Sequence, residues 1–133
     1  MEIKQFEKLT YLLKFPKDYK EGEKYPVIFF LHGAGGRGDD IEILKTNPFF
    51  SITNKYEDFP FIVAAPQCCT NTWFDAFETL KRLTLAIYNS DFTDRRHFYA
   101  MGASMGGYAT WQLAMSMPDL FAAIVPICGG GMY

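Results

Sequence analysis

Four runs dominated by apolar residues divide the chain: Val27-Ile28-Phe29-Phe30-Leu31, Phe61-Ile62-Val63-Ala64-Ala65, His97-Phe98-Tyr99-Ala100-Met101, and 122–128. Each has the length of a strand and lacks strict alternation, the pattern of strands buried on both faces. Two shorter β-like stretches, 2–8 and 10–15, precede them, and Phe15-Pro16 ends the second. Lys17 to Tyr25 is polar, contains Gly22 and reads as a loop. Between the runs the period changes. Trp73, Ala76, Phe77, Leu80, Leu83 and Ile87 recur at helical spacing. Thr72 with Asp75, or Asp75 with Glu78, supplies a capping pair for this helix, which should end near Asn89-Ser90-Asp91. A second helix is expected over 105–117, stopping before Pro118. Asp39 or Asp40 can cap a short helix through Lys45, and Asn47-Pro48 breaks it.

Strands alternating with helices imply βαβ units, a mainly parallel sheet and right-handed crossovers. The expected fold is α/β, a three-layer α/β/α sandwich in one domain spanning 1–133.

The chain has 133 residues with a formal charge of −2, 49% hydrophobic and 21% charged residues. That balance is ordinary for a globular domain and gives no basic footprint for nucleic acid. No apolar run approaches the ~20 residues of a membrane span. Met1-Glu2-Ile3-Lys4 does not begin a secretory signal, so a cytoplasmic location is expected. The cysteines Cys68, Cys69 and Cys128 make no disulfide framework and read as free, mostly buried thiols. With His32 and His97 as the two histidines and no CxxC pair, neither a metal nor an organic cofactor is expected.

Chemistry concentrates at Gly102-Ala103-Ser104-Met105-Gly106, a G-x-S-x-G motif between a strand and a helix. That is the context of a nucleophile elbow, a sharp turn that exposes the serine hydroxyl. Small residues are needed where the chain passes close to its neighbours, and Gly102, Gly106 and Gly107 supply them. Acyl transfer also needs two N–H donors aimed at the oxyanion. The amide of Met105 is the first candidate. The second should come from the Gly-rich loop after the first core strand, His32-Gly33-Ala34-Gly35-Gly36, and Ala34 is assigned to it with Gly35 as the near alternative.

These pieces resemble the α/β-hydrolase superfamily, in its serine-esterase branch of polyhydroxybutyrate-depolymerase-like, feruloyl-esterase-like and predicted-peptidase-like proteins. The matching segments are Leu31-His32-Gly33-Ala34-Gly35-Gly36-Arg37-Gly38, Ala65-Pro66-Gln67 and Asp94-Arg95-Arg96-His97-Phe98-Tyr99. They continue with Met101-Gly102-Ala103-Ser104-Met105-Gly106-Gly107-Tyr108, Pro118-Asp119-Leu120-Phe121-Ala122-Ala123 and Pro126-Ile127-Cys128-Gly129-Gly130-Gly131. The resemblance runs from about residue 10 onward in the family's order and spacing. It implies ester hydrolysis through an acyl-enzyme on Ser104, with His32, Gly33 and Gly35 shaping the oxyanion loop. The substrate would be a small carboxylic ester, with carbohydrate-linked or phenolic esters among the classes. Trp73 is expected near the rim of the site, where it could stack on a sugar or a phenolic acid, or else to anchor its helix in the core.

In that family the triad follows the order Ser, acid, His. Acid and histidine would follow later strands, so the sequence is expected to match only the N-terminal part of the catalytic domain. His97 begins the strand that ends at Ser104, on the order of 20 Å away, and a general base must lie within about 3 Å or reach through one water. His32 lies at the correct end of its strand, as an improvised base or a loop-shaping residue. The strand over 122–128 should form an open edge, which invites pairing with a second copy and hence a homo-oligomer. Two rival readings remain. Gly33-Ala34-Gly35-Gly36-Arg37-Gly38 also fits G-x-G-x-x-G, the dinucleotide fingerprint, but the helix after it is short and Asp58 precedes the next strand instead of ending it. A non-enzyme that holds acyl compounds or a partner protein without turnover is the second.

Overall fold

A computed structural model describes residues 1–56 and 58–127. Six strands form one sheet: β1 (Glu2–Phe6), β2 (Leu9–Lys14), β3 (Tyr25–Leu31), β4 (Ile62–Pro66), β5 (Thr93–Ala103) and β6 (Ala123–Ile127). Their order is β1-β2-β4-β3-β5-β6. The β1–β2 hairpin and the β2–β4 pair are antiparallel, whereas β4, β3, β5 and β6 run parallel. The helices are α1 (Ile41–Lys45), α2 (Pro48–Thr53), α3 (Phe77–Tyr88) and α4 (Met105–Ser116). Short 3-10 turns occupy Ala34–Gly36 and Trp73–Ala76.

Strand alternation sorts the core into two faces. Leu9, Leu13, Val27, Phe29, Leu31, Ile62, Ala64 and Phe98 face one way and pack with Leu80, Leu83 and Ile87 of α3 and with Ala109 and Leu113 of α4. Leu12, Phe30, Val63 and Ala65 face the other way and meet Leu44 of α1 and Phe50 of α2. Each large apolar side chain so buried contributes about 1.5–3 kcal/mol. The three layers expected from the apolar runs are present. No helix among the described residues is long and apolar enough to cross a membrane.

Local signals account for most boundaries. Asp40 caps α1 by accepting from the Glu42 amide. Thr72 and Asp75 form the reciprocal capping box ahead of α3. Asn47-Pro48, read as a break, is also a start: Asn47 accepts from the Phe49 amide, Pro48 takes the first turn, and α2 follows. β5 begins at Thr93, four residues before its apolar run, because Asp94, Arg95 and Arg96 extend the strand into solvent.

The sheet's two edges differ. β1 carries Glu2 and Lys4, charges that discourage edge pairing. β6 has no charged residue, and Val125 and Ile127 are 43% and 46% exposed. The Ile127 carbonyl accepts from the Ser104 amide at 2.8 Å. By strand alternation the nitrogen of Pro126 therefore faces outward, where it removes one donor from the edge. The edge is partly blunted but not charged. The predicted end of this strand, Cys128, and the Gly129–Gly131 run lie outside the described residues. Light scattering on the 133-residue chain should show mass rising with concentration, and Val125→Lys should lower it. A constant monomer mass across the micromolar range would refute association at β6.

Candidate active site

Ser104 stands between β5 and α4 with φ 55° and ψ −118°. Non-glycine residues rarely hold such angles, and they cost about 1–3 kcal/mol. The surroundings impose them. The Ser104 amide is tied to the Ile127 carbonyl, and the Ser104 carbonyl accepts from the amides of Gly107 (2.9 Å) and Tyr108 (3.2 Å). The side chain is left exposed at the sheet's C-terminal edge.

Two glycines make the turn possible. A β-carbon on Gly106 would overlap the carbonyl oxygen of Leu31 and come within 2.8 Å of the His32 carbonyl oxygen. One on Gly102 would overlap the Gly106 carbonyl and come within 2.8 Å of the Leu31 oxygen. The first turn of α4 thus lies directly on the end of β3. That contact brings the loop after β3 beside the serine: a β-carbon on Gly33 would be 3.5 Å from Cβ of Ser104 and 3.2 Å from the Ala103 oxygen. Neither the Ala34 amide nor the Met105 amide donates to another group among the described residues.

His32 sits at the base of the loop, fully buried. Its Nε2 accepts from the Cys68 amide at 2.8 Å, so Nε2 carries no proton. Nδ1 is then protonated and donates to the Gly33 carbonyl. Burial, aided by the nearby Arg37 charge, holds the imidazole below its ordinary value of 6.5, against the pull of the Gly33 carbonyl. A β-carbon on Gly36 would lie 2.6 Å from the ring, so the loop wraps the imidazole closely. With both nitrogens engaged, His32 has no lone pair to offer Ser104.

The expected rim position of Trp73 is corrected. Trp73 is fully buried, its indole N–H donates to the His32 carbonyl at 3.0 Å, and its ring lies 4.9 Å from the imidazole. Burial of so large a ring needs a partner for its N–H, and the loop carbonyl is that partner. Cys68 is buried, whereas Cys69 is exposed rather than buried. His97 is bound to Asp94, Nδ1 to Oδ2 at 2.8 Å, far down β5. Among the described residues Ser104 Oγ has no hydrogen-bond partner. No group of three or more His, Cys, Asp or Glu among them could hold a metal ion.

The architecture has close counterparts. A thermostable esterase superposes on 92% of this chain with a TM-score of 0.65 and 34% identity, and is covered over 38% of its own length. The chain has the α/β-hydrolase fold. The prolyl oligopeptidase family matches residues 75–130, the part that carries the serine motif. Dipeptidyl-peptidase 5 of Aspergillus fumigatus is 28% identical over 128 residues, covering 84% of the chain and 17% of that protein. A probable feruloyl esterase C of Aspergillus niger is 26% identical over 134 residues, covering 96% and 49%. The chain therefore spans about half of the esterase and a sixth of the peptidase.

The sequence missed the residues that hold the loop from beneath. Gln67 donates through Nε2 to the carbonyls of Gly36 (2.9 Å) and Asp40 (2.8 Å). Arg37 reaches Ala34 and Asn71. The Ala65-Pro66-Gln67 match was visible, but the target of its amide was not.

Two outcomes follow. Gly106→Ala should cost at least the ~1–3 kcal/mol typical of an overpacked site, because backbone rather than a flexible side chain is in the way; denaturant unfolding measures it, and wild-type stability would contradict the close approach. The second concerns His32. The unfolded chain binds a proton at this residue from about pH 6.5 downward, while the folded chain resists until lower pH. Stability should be complete above pH 6.5 and decline below it. Proton resonances of the imidazole should titrate below the usual histidine range; a normal midpoint would contradict the buried neutral ring.

Proposed function

We propose that this chain carries the nucleophile and oxyanion-binding half of a serine hydrolase that cleaves carboxylic esters through an acyl-enzyme on Ser104. One observation carries the reading: an exposed serine held at positive φ adjoins Gly33, and the amides of Ala34, next to Gly33, and of Met105, next to the serine, donate to no group among the described residues. In the proposed reaction Ser104 Oγ attacks the ester carbonyl carbon. Negative charge grows on the carbonyl oxygen, which the Ala34 and Met105 N–H groups hold, each worth on the order of 3 kcal/mol. The alcohol leaves with a proton, and water then attacks the acyl-serine to release the acid.

A neutral serine is a weak nucleophile, so a base must take its proton. His32 is engaged at both nitrogens, and His97 is seven residues away along an extended strand, roughly 20 Å. The base and its orienting acid are proposed to come from outside the described residues, consistent with the family order of serine, acid, histidine. An ester rather than a peptide is preferred as substrate, and the similarity to a probable feruloyl esterase favours phenolic acid esters. A second reading has one observation in its favour. Because Ser104 Oγ has no partner among the described residues, the chain could hold an acyl compound without turning it over.

A fluorophosphonate probe separates the two, since it labels only an activated serine. In protein that includes the segment supplying the base, stoichiometric labelling of the wild type, lost in Ser104→Ala, is the expected result, followed by turnover of aryl esters. A folded, unlabelled wild type of that protein would overturn the hydrolase reading and leave acyl binding.

A further inference from the structure

An oxyanion hole works only if its amides stay turned toward the substrate. In a trans peptide the N–H points opposite the C=O. A carbonyl that is held in place therefore fixes the direction of the next residue's amide. The Gly33 carbonyl is taken by the Gly36 amide and by His32 Nδ1, which sets the Ala34 N–H. The Ala34 carbonyl is taken by the Arg37 amide at 3.2 Å and by Arg37 Nε at 2.9 Å, which sets the Gly35 N–H. Arg37 does not stop there. Its Nη1 donates to the Asn71 carbonyl at 2.9 Å and to Asn71 Oδ1 at 3.0 Å.

We propose that Arg37 is a positioning residue for the acyl-transfer site: its guanidinium, stretched between the Ala34 carbonyl and Asn71, fixes the Ala34–Gly35 peptide, which presents the Gly35 N–H as the alternative oxyanion donor and braces the C-terminal side of Ala34, whose own N–H is set by the Gly33 carbonyl, and it couples this turn to the loop after β4. This rests on the hydrolase reading above. Other ties between the two loops do not touch this peptide. The Gly38 amide reaches the Cys68 carbonyl at 3.0 Å, and Gln67 holds Gly36 and Asp40. Removing the Arg37 side chain thus leaves the loop attached but leaves the Ala34 carbonyl with the Arg37 backbone amide alone. Arg37 is exposed, so little of the core depends on it. Lysine cannot replace it. The guanidinium presents donors in a rigid planar fork, which here spans two loops, whereas an ammonium is a compact point charge on a flexible stem.

The test compares wild type, Arg37→Ala, Arg37→Lys and Asn71→Ala in two measurements. The first is the rate of Ser104 labelling by a fluorophosphonate. Arg37→Ala should slow it about tenfold to a hundredfold, the range for a lost charge-assisted hydrogen bond. The thermal midpoint should stay near wild type, Arg37→Lys should recover little, Asn71→Ala should fall between, and added ethylguanidinium should restore part of the rate in Arg37→Ala. Wild-type labelling by Arg37→Ala or by Arg37→Lys would overturn the proposal. The second is hydrogen exchange at the Gly36 amide, which bonds Gly33 across the same turn. It is expected to speed up in Arg37→Ala. If the wild type itself does not label, the hydrolase reading fails, and unchanged Gly36 exchange in Arg37→Ala then rejects the positioning role separately.

Discussion

The site rests on one close approach of backbone to backbone. The first turn of α4 lies against the end of β3 so tightly that no side-chain carbon fits at Gly106 or Gly102. Packing at this distance places two separate segments in register. One is the strand–turn–helix that presents Ser104. The other is the loop that continues from Leu31, paired with Gly102 across β3 and β5. Gly33 reaches the Ser104 side chain because the carbonyl of Leu31 already touches Gly106. The strained angles of Ser104 persist for the same reason: the ties at its amide and its carbonyl fix both ends of the turn. Strain of that size survives only where neighbouring structure over-determines it.

Around this contact the loop is organised by its carbonyls. Those of His32, Gly33, Ala34, Gly36 and Asp40 each accept from a side chain: Trp73, His32, Arg37 and, for the last two, Gln67. A Gly-rich loop has little intrinsic conformational preference, so these bonds have to supply one. Burying a neutral imidazole, an indole N–H and a primary amide is costly unless each is satisfied. Here they satisfy the loop as well as themselves. Gln67 Oε1 is the exception, a buried acceptor without a partner among the described residues. With the loop's acceptors engaged, and with the Gly36, Arg37 and Gly38 amides bonded to Gly33, Ala34 and Cys68, the amides of Ala34 and Gly35 are the ones left for whatever approaches Ser104.

Strands β3 and β4 were legible because burial on both faces writes long apolar runs, whereas the similar run at β6 belongs to an edge strand that stays exposed; the serine motif was legible because its glycines answer a steric demand that is local in sequence. The capping box at Thr72 and Asp75 was legible for the same local reason. Elsewhere tertiary structure overrode local signals. Asn47-Pro48 looks like a terminator until the following residues are seen to bury Phe50 and Thr53. Trp73 follows a core strand and could have lined a rim, but its indole N–H finds the His32 carbonyl, 41 residues earlier. Arg37 reads as one more polar residue in a turn. Its partner Asn71 is 34 residues away, and no periodicity links the two.

The histidines show why residue types alone do not make a catalytic set. His97 and Asp94 form the carboxylate–imidazole pair that a triad uses, and the pairing holds the Asp94 carboxyl below its ordinary range. Yet that pair sits at the far end of β5, where an Asx turn through the Arg96 amide explains Asp94 fully. His32 has the opposite defect: it lies at the serine's end of the sheet with neither nitrogen free. A base for Ser104 needs both properties at once, proximity to Oγ and an unengaged ring nitrogen. The loop uses its own histidine to orient amides, and an imidazole that already donates from one nitrogen and accepts at the other cannot also take the serine proton without releasing the loop that would stabilise the product of that transfer. The hydrogen-bonding capacity of the ring itself therefore makes an imidazole that shapes this loop unfit to serve as the base for Ser104.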